Sequence, residues 1–341
     1  MENTLKKLIV TLNKEKLPRK DVQNILLCGE AVRSAAAEKG WSADILFITL
    51  EDFEKGHAHL KEKLLVSSPD CVFNLFEGFA ADPHKEYEFA EIIESLGIPF
   101  TGNSSHTLKL SLDKYETKKI LSRNSLPVPK GFKVKSLKDI RERRLELPFF
   151  IKPCFEDASL GIDEKSFLTK LEDLPAALTE KLKSHPEGLL VEEFLPGKEF
   201  NIGFLGGPDF ELVGISVMDY NKHPDISPFM SYSSKWDTKT KEYKALVPVV
   251  TKEGDLDKAV RDKLFEICSK AAKILGCRSY FRIDLREKNE KFCILDVNPN
   301  PDISPDSGFI RQAFARGLTY ADTIEKIINA SLAAGKEPYG L

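Results

Sequence analysis

Residues 280–301, Tyr-Phe-Arg-Ile-Asp-Leu-Arg-Glu-Lys-Asn-Glu-Lys-Phe-Cys-Ile-Leu-Asp-Val-Asn-Pro-Asn-Pro, constrain the fold more than any other stretch of the chain. They read as two antiparallel strands around a polar turn near residues 288–291. Side chains alternate faces along a strand. One face then carries Phe281, Ile283, Leu285, Cys293, Leu295 and Val297, a core face. The other carries Arg282, Asp284, Asp296 and Asn298. A hairpin centred on Glu290 sets Asp284 opposite Asp296 and Arg282 opposite Asn298. Like charges facing each other, with Cβ atoms about 4.5–5.5 Å apart, destabilise a sheet. Two facing carboxylates and an amide therefore suggest a divalent-cation site, and all-oxygen donors suit magnesium or manganese. The competing reading is a polar sheet face whose aspartates pair with Arg282 and Arg286.

Bulk properties bound the remaining choices. A chain of 341 residues can build two or three domains with real cores. A net charge of −3 gives no electrostatic pull toward nucleic acid or an anionic membrane. No apolar run approaches bilayer length. The start, Met-Glu-Asn-Thr-Leu-Lys-Lys, does not read as a signal peptide. Six cysteines, none in a C-x-x-C pair, read as reduced residues of a cytoplasmic protein.

Taken in order, residues 7–13, 45–49 and 71–76 read as strands, with helices at 21–39 and around 53–66. Such alternation predicts an open parallel α/β sheet. His57 and His59 are two apart and read as solvated surface. Ligands bind beyond the carboxyl ends of strands in such sheets, so Glu77-Gly78 is placed for a substrate contact or is a plain strand–loop junction. Residues 88–95 read as a helix, and Ser105 or Thr107 can cap the next one, through Leu121. Leu126-Pro-Val-Pro129 is a rigid link and a natural domain boundary. A strand ending in Lys152 leads into the loop 156–161, where Ser159 and Gly161 allow backbone amides to approach a phosphate. Pro196-Gly197 between two strands reads as a hairpin turn. Residues 219–243 lose apolar periodicity, and a loop of that length in a compact domain is usually functional or disordered. Residues 256–275 form an amphipathic helix, the chain is helical again through Ala334, and 335–341 read as a frayed tail.

Asp284, Asp296, Asn298 and the proline-rich turn resemble the metal-binding end of the ATP-grasp carboxylate–amine ligases, and more narrowly the D-alanine–D-alanine ligase branch. That branch shows Arg-x-Asp followed by Glu-x-Asn-x-x-Pro-Gly. Here Asp296 stands for the Glu and Asp302 for the Gly. Gly97-Ile-Pro-Phe-Thr-Gly102 followed by Asp113-Lys114-Tyr-Glu-Thr-Lys118 is also similar to the family. The resemblance implies an α/β chain of ATP-grasp fold. An N-terminal open parallel α/β domain (1–105) would precede central (106–190) and C-terminal (191–341) α+β units that clamp ATP. By the same resemblance, Lys114 and Lys152 reach the phosphates, and Ser159 and Gly161 belong to the phosphate flap. Glu192, Glu193, Phe194 and Leu195 contact adenine, and Glu199 holds the ribose. Asp284, Asp296 and Asn298 bind the metal. Lys235 matches a lysine of the loop that closes over the γ-phosphate. Trp236 stands where the family has a substrate-holding Tyr, and Ser307, with Gly308 at a helix start, falls where the second substrate's carboxylate is bound. The Glu that the family carries after its first strand is not recognisable; Glu15 is the nearest candidate.

The implied reaction uses ATP and Mg2+ or Mn2+ to convert a carboxylate into an acyl phosphate, which an amine then attacks. Arg282 would stabilise the tetrahedral oxyanion, and Lys114, Lys152 and Lys235 the transferring charge. The expected substrates are amino acids or small carboxylates, with no nucleic-acid or membrane partner, and the resemblance implies a homodimer. The alternatives are a true D-alanine–D-alanine ligase of cell-wall synthesis and a non-catalytic nucleotide-binding regulator. Neither G-x-S-x-G nor an early G-x-G-x-x-G is present, against a hydrolase or dehydrogenase.

Overall fold

The computed structural model describes residues 5–15, 20–140, 146–206 and 209–334. The start Met1–Thr4 and the tail 335–341 lie outside the described residues.

The first unit alternates β1 (Lys6–Asn13), α1 (Lys20–Glu38), β2 (Trp41–Ile48), α2 (Leu50–Glu54), α3 (His57–Leu65), β3 (Cys71–Asn74) and α4 (Lys85–Ser95). Its three-stranded sheet is parallel, in the order β2-β1-β3, as the alternation predicts. The helix expected around 53–66 is two helices, because Gly56 takes φ +92 between them. His59 is not plain surface: its Nε2 lies 3.0 Å from the buried carboxylate of Asp52.

The next helix is also split. Ser104, rather than Ser105 or Thr107, caps α5 (Ser105–Leu112) by accepting from Thr107 N. Asp113 then ends α5 and caps α6 (Lys114–Arg123), accepting from Tyr115 N and Glu116 N. An Asx cap satisfies amides that have no intrahelical partner, and here it fixes Lys114 as the first helical residue.

The second sheet is antiparallel and holds β4 (Gly131–Val134), β5 (Phe149–Pro153) and β6 (Phe167–Leu168), then, after α7 (Leu174–Ser184), β7 (Leu189–Glu193). Its order is β4-β7-β5-β6. The third sheet contains β8 (Glu199–Leu205) and β9 (Glu211–Met218). Two short helices, α8 (Tyr232–Trp236) and α9 (Lys241–Ala245), occupy the segment expected to be a long loop. Then come β10 (Val249–Val250), α10 (Lys258–Leu275), β11 (Tyr280–Lys288) and β12 (Lys291–Asn298), in the sheet order β10-β9-β8-β11-β12.

β7 and β8 do not form a hairpin. They lie in different sheets, so Pro196-Gly197 is the crossing between two layers. The amide of Gly197 donates to Glu287 O at 3.0 Å, and a Cβ there would stand 2.4 Å from that oxygen. β7 also runs through the 190/191 boundary that the resemblance implies.

The expected hairpin forms. Asp284 pairs with Asp296 and Arg282 with Asn298. Asn289 and Glu290 take φ +50 and +60, the pattern of a two-residue type I′ turn. That turn centres between 289 and 290, and a bulge after Asp284 restores the register. The bulge changes the core face. Phe292 and Ile294 are buried in place of Cys293 and Leu295. The chain ends with α11 (Gly308–Ala315), which packs on β9, and α12 (Tyr320–Ala334), which returns to α1 and the first sheet. Phe309, Ile310, Ile324 and Ile327 share one core with Leu8, Val10 and Phe73.

Candidate active site

Two cavities meet at the hairpin. The first, about 160 Å3, lies between the second and third sheets and is lined by Lys114, Lys152, Glu192, Phe194, Glu199, Lys235, Asp284 and Asp296, among others. The second, about 210 Å3, opens toward the first sheet and is lined by Glu15, Glu77, Gly78, Trp236 and Asp302, among others. Arg282, Asn298, Lys235 and Asp157 line both.

Lys114 sits against two carboxylates, Asp157 at 2.7 Å and Asp296 at 2.9 Å. Burial alone would lower its pKa, but Asp157 and Asp296 outweigh it and hold the ammonium well above the usual lysine range. Lys118 lies one helical turn on, on the same face. It donates to Glu192, whose other oxygen is 3.2 Å from Lys152. Burial, reinforced by Lys152, pushes Lys118 down to about 8 despite Glu192. Glu192 is thus a buried carboxylate shared by two lysines. Lys152 also donates to Leu295 O at 3.2 Å, a carbonyl turned to the cavity by the bulge.

The far end of this cavity is aromatic. Phe150 lies 6.2 Å from Phe194 and 5.2 Å from Phe229, ring centre to ring centre. Arg286 stacks over Phe194 and Tyr220, both at 4.6 Å. This arginine pairs with neither hairpin aspartate; it donates to Gly197 O and Pro228 O. Leu195 lines the same end, and Glu193 accepts from Lys288 at 2.6 Å. Glu199 accepts from Tyr220 Oη at 3.0 Å, and burial raises its pKa. Flat apolar walls with polar rims suit a heterocyclic base and its sugar.

On the hairpin, Arg282 grips Asp284 with two hydrogen bonds of 2.8 and 3.0 Å. Asn201 and Asn298 donate to the same carboxylate, each at 2.9 Å. The carboxylate of Asp296 is held low: burial opposes, but Lys114 and Lys152 prevail. Arg282 and Lys114 thereby offset the repulsion that a metal would otherwise neutralise. Among the described residues no three His, Cys, Asp or Glu side chains form a metal cluster. The donor set here is instead two carboxylates and an amide on one strand face, all lining the first cavity, which fits a hard divalent cation.

The loop from Glu156 to Gly161 covers the junction. Ala158 and Ser159 take φ +52 and +63, unusual for residues with a Cβ. Gly161 takes φ +72, and a Cβ there would lie 2.6 Å from Pro153 and His185. Trp236 Nε1 donates to Ala158 O at 3.3 Å, and Tyr232 N donates to Ile162 O at 3.2 Å, tying α8 to this loop. Burial, with Arg282 nearby, lowers the pKa of Lys235. Cys154 is buried and its thiol is pushed up to about 12, which leaves it inert.

Of the sequence-derived candidates, Ser307 and Gly308 are not brought to either cavity. Ser307 caps α11 by accepting from Ile310 N at 3.3 Å, while Ser304 lines the second cavity. Glu15 does line it, accepting from Ala80 N at 3.0 Å. Sequence reasoning missed Lys118, Asp157, Asn201, Glu86 and Asn300. Lys118 alone had a local signal, its spacing of one turn from Lys114.

A family model described as "D-ala D-ala ligase C-terminus" matches residues 127–329. The D-alanine–D-alanine ligase of Haemophilus ducreyi is 30% identical over 280 residues, covering 80% of this chain and 84% of that protein. The ATP-complexed crystal structure of D-alanine–D-alanine ligase from Bacillus anthracis superposes with a TM-score of 0.73 at 19% identity, covering 97% of this chain and 99% of that one. The VanG D-Ala:D-Ser ligase of Enterococcus faecalis gives a TM-score of 0.72 at 20% identity, covering 96% and 100%.

Proposed function

Because this chain belongs to the D-alanine–D-alanine ligase family, we propose that its first cavity takes ATP and its second takes two amino acids, which it joins by an amide bond. It has the ATP-grasp fold and is an ATP-dependent, ADP-forming ligase that uses a divalent metal. ATP supplies the phosphoryl group that activates one carboxylate. Asp284, Asp296 and Asn298 would hold Mg2+, which neutralises phosphate charge when bound. The remaining work is done by the chain. Lys114, Lys152 and Lys235 set positive charge around the transferring group, and Arg282, at the junction, faces the oxyanion of the second step. The aromatic slot at Phe150 and Phe194 holds the base, and α8 with the 156–161 loop excludes water. The facing pair Asp284 and Asp296, in the first cavity beside Arg282 and Asn298, which line both, carries this reading. Domain boundaries near residue 105 and at Pro196-Gly197 belong to it, as do the homodimer that the resemblance implies and the cytoplasmic location that the cysteines suggest. Among the described residues no helix is long and apolar enough to cross a membrane.

The substrates need not be D-alanine. Trp236 spends its only hydrogen-bond donor on Ala158 O, so it does not reproduce a tyrosine hydroxyl. The reading as a true D-alanine–D-alanine ligase is favoured by the relatives' names and by Glu15 in the second cavity. A phosphate-release screen over amino-acid pairs, with products identified by mass spectrometry, tests both. Condensed product from some pair, with D-alanine a poor substrate, is the expected result. D-alanine as the best substrate would restore the second reading, and phosphate release without any condensed product would refute both.

A further inference from the structure

Two lysines share one carboxylate at the wall of the first cavity. Glu192 Oε2 accepts from Lys118, and Glu192 Oε1 lies 3.2 Å from Lys152 Nζ. All three residues are buried, Lys118 at 7%, Glu192 at 2% and Lys152 at 6% exposed. Lys152 and Glu192 line the first cavity, whereas Lys118 lines neither cavity. Lys118 therefore stands behind Glu192 and acts on the cavity only through it.

The pairing around this wall is uneven. Lys114 has two carboxylates, Asp157 and Asp296, while Glu192 has two ammonium groups. A one-to-one buried pair would already give Glu192 its counter-charge, and each further buried charge adds a desolvation cost. The second lysine has a geometric consequence. An ammonium carries three donors and no acceptor. Lys152 gives one donor to Leu295 O at 3.2 Å and stands against a single oxygen of Glu192. The rest of the ammonium is left for the cavity. Among the described residues Glu192 Oε2 has no hydrogen-bond or ion-pair partner besides Lys118. Without Lys118 the carboxylate is free to turn both oxygens onto Lys152, and the protein itself then neutralises that ammonium.

We propose that Lys118 is a positioning residue for nucleotide binding: by holding Glu192 Oε2 it keeps this carboxylate from closing on Lys152, and so leaves the Lys152 ammonium open to a phosphate in the first cavity. This rests on the ligase reading above, in which Lys152 faces the phosphates of ATP, and gives a role to a lysine that touches neither cavity.

The test is a double-mutant cycle read by calorimetric binding of magnesium-ADP, which needs no turnover. Lys118→Met should weaken binding by about tenfold or more with Glu192 present, and by less than about threefold in a Glu192→Gln background, where the amide has no charge to place on Lys152. In the phosphate-release assay the same variant should raise the KM for ATP by a similar factor, with kcat and the KM for the amino acids near their wild-type values. A merely structural role would lower the melting temperature without that split. Equal losses in both backgrounds, or no loss in either, would overturn the proposal. Lys118→Gln, cycled against the same background and judged in the same way, serves if Lys118→Met fails to fold. Wild-type protein that binds magnesium-ADP but forms no condensed product would refute the ligase reading alone and leave the cycle to decide the proposal. Wild-type protein that does not bind magnesium-ADP would overturn both.

Discussion

Asp296 is placed by a strand register and priced by its neighbours. It lies across from Asp284 and holds Lys114 at 2.9 Å. Asp296→Asn removes an anionic donor from the metal set, so magnesium-dependent turnover should fall by about a hundredfold or more. The fold should survive, because Lys114 keeps Asp157. Near-normal turnover at saturating magnesium would contradict the assignment. Glu86 gives a test in pH. Its folded pKa is about 8, raised by burial and then by Asp157 and Glu77, against about 4.3 in an unfolded chain. The folded state therefore binds this proton more tightly, and the associated stability is present below the unfolded value and lost as pH rises toward the folded one. Between those limits the urea midpoint of the wild type should fall more steeply than that of Glu86→Gln; parallel curves would speak against it. Asp284, Asp296 and Asn298 were legible in the sequence because strand alternation puts them on one face. Glu86 was not, and of Lys118 only the one-turn spacing from Lys114 was. Their burial depends on Glu192 and Asn300, 74 and 214 residues away, and no local pattern records such partners.

Elements position these residues, and two of them show where pattern reading succeeds and fails. The hairpin register is readable because its turn and bulge shifts cancel: the turn centres half a residue early and the bulge restores it. The bulge itself has no sequence signature here, so Leu295 was assigned to the core although its carbonyl faces Lys152. Pro196-Gly197 looks like a hairpin turn because the same residues serve any sharp reversal. Only the partners of β7 and β8 reveal a crossing between sheets. Gly197→Ala would drive a methyl into Glu287 O at 2.4 Å. Overpacking of that kind costs about 1–3 kcal/mol, so urea unfolding should show a loss of that order. An unchanged midpoint would mean that the crossing relaxes freely.

The whole molecule encloses its site between three sheets, with the last helix, α12, returning to the first. Alternating strands and helices foretold the parallel sheet, and the ordered motifs foretold the clamp. That α11 covers the third sheet and α12 the first was not legible, since an amphipathic helix does not state which sheet it covers. Binding to the native state alone should raise the melting temperature, and magnesium-ATP should do so more than magnesium-GTP because the slot at Phe194 and Leu195 is edged by fixed polar groups. Equal shifts would remove base selectivity. The most direct measurement follows oxygen. With the donor amino acid labelled in both carboxylate oxygens with the heavy isotope, amide formation through an acyl phosphate must transfer one labelled oxygen to each phosphate released. Singly labelled phosphate, formed in step with the condensed product, is the expected result. Unlabelled phosphate would contradict the ligase mechanism.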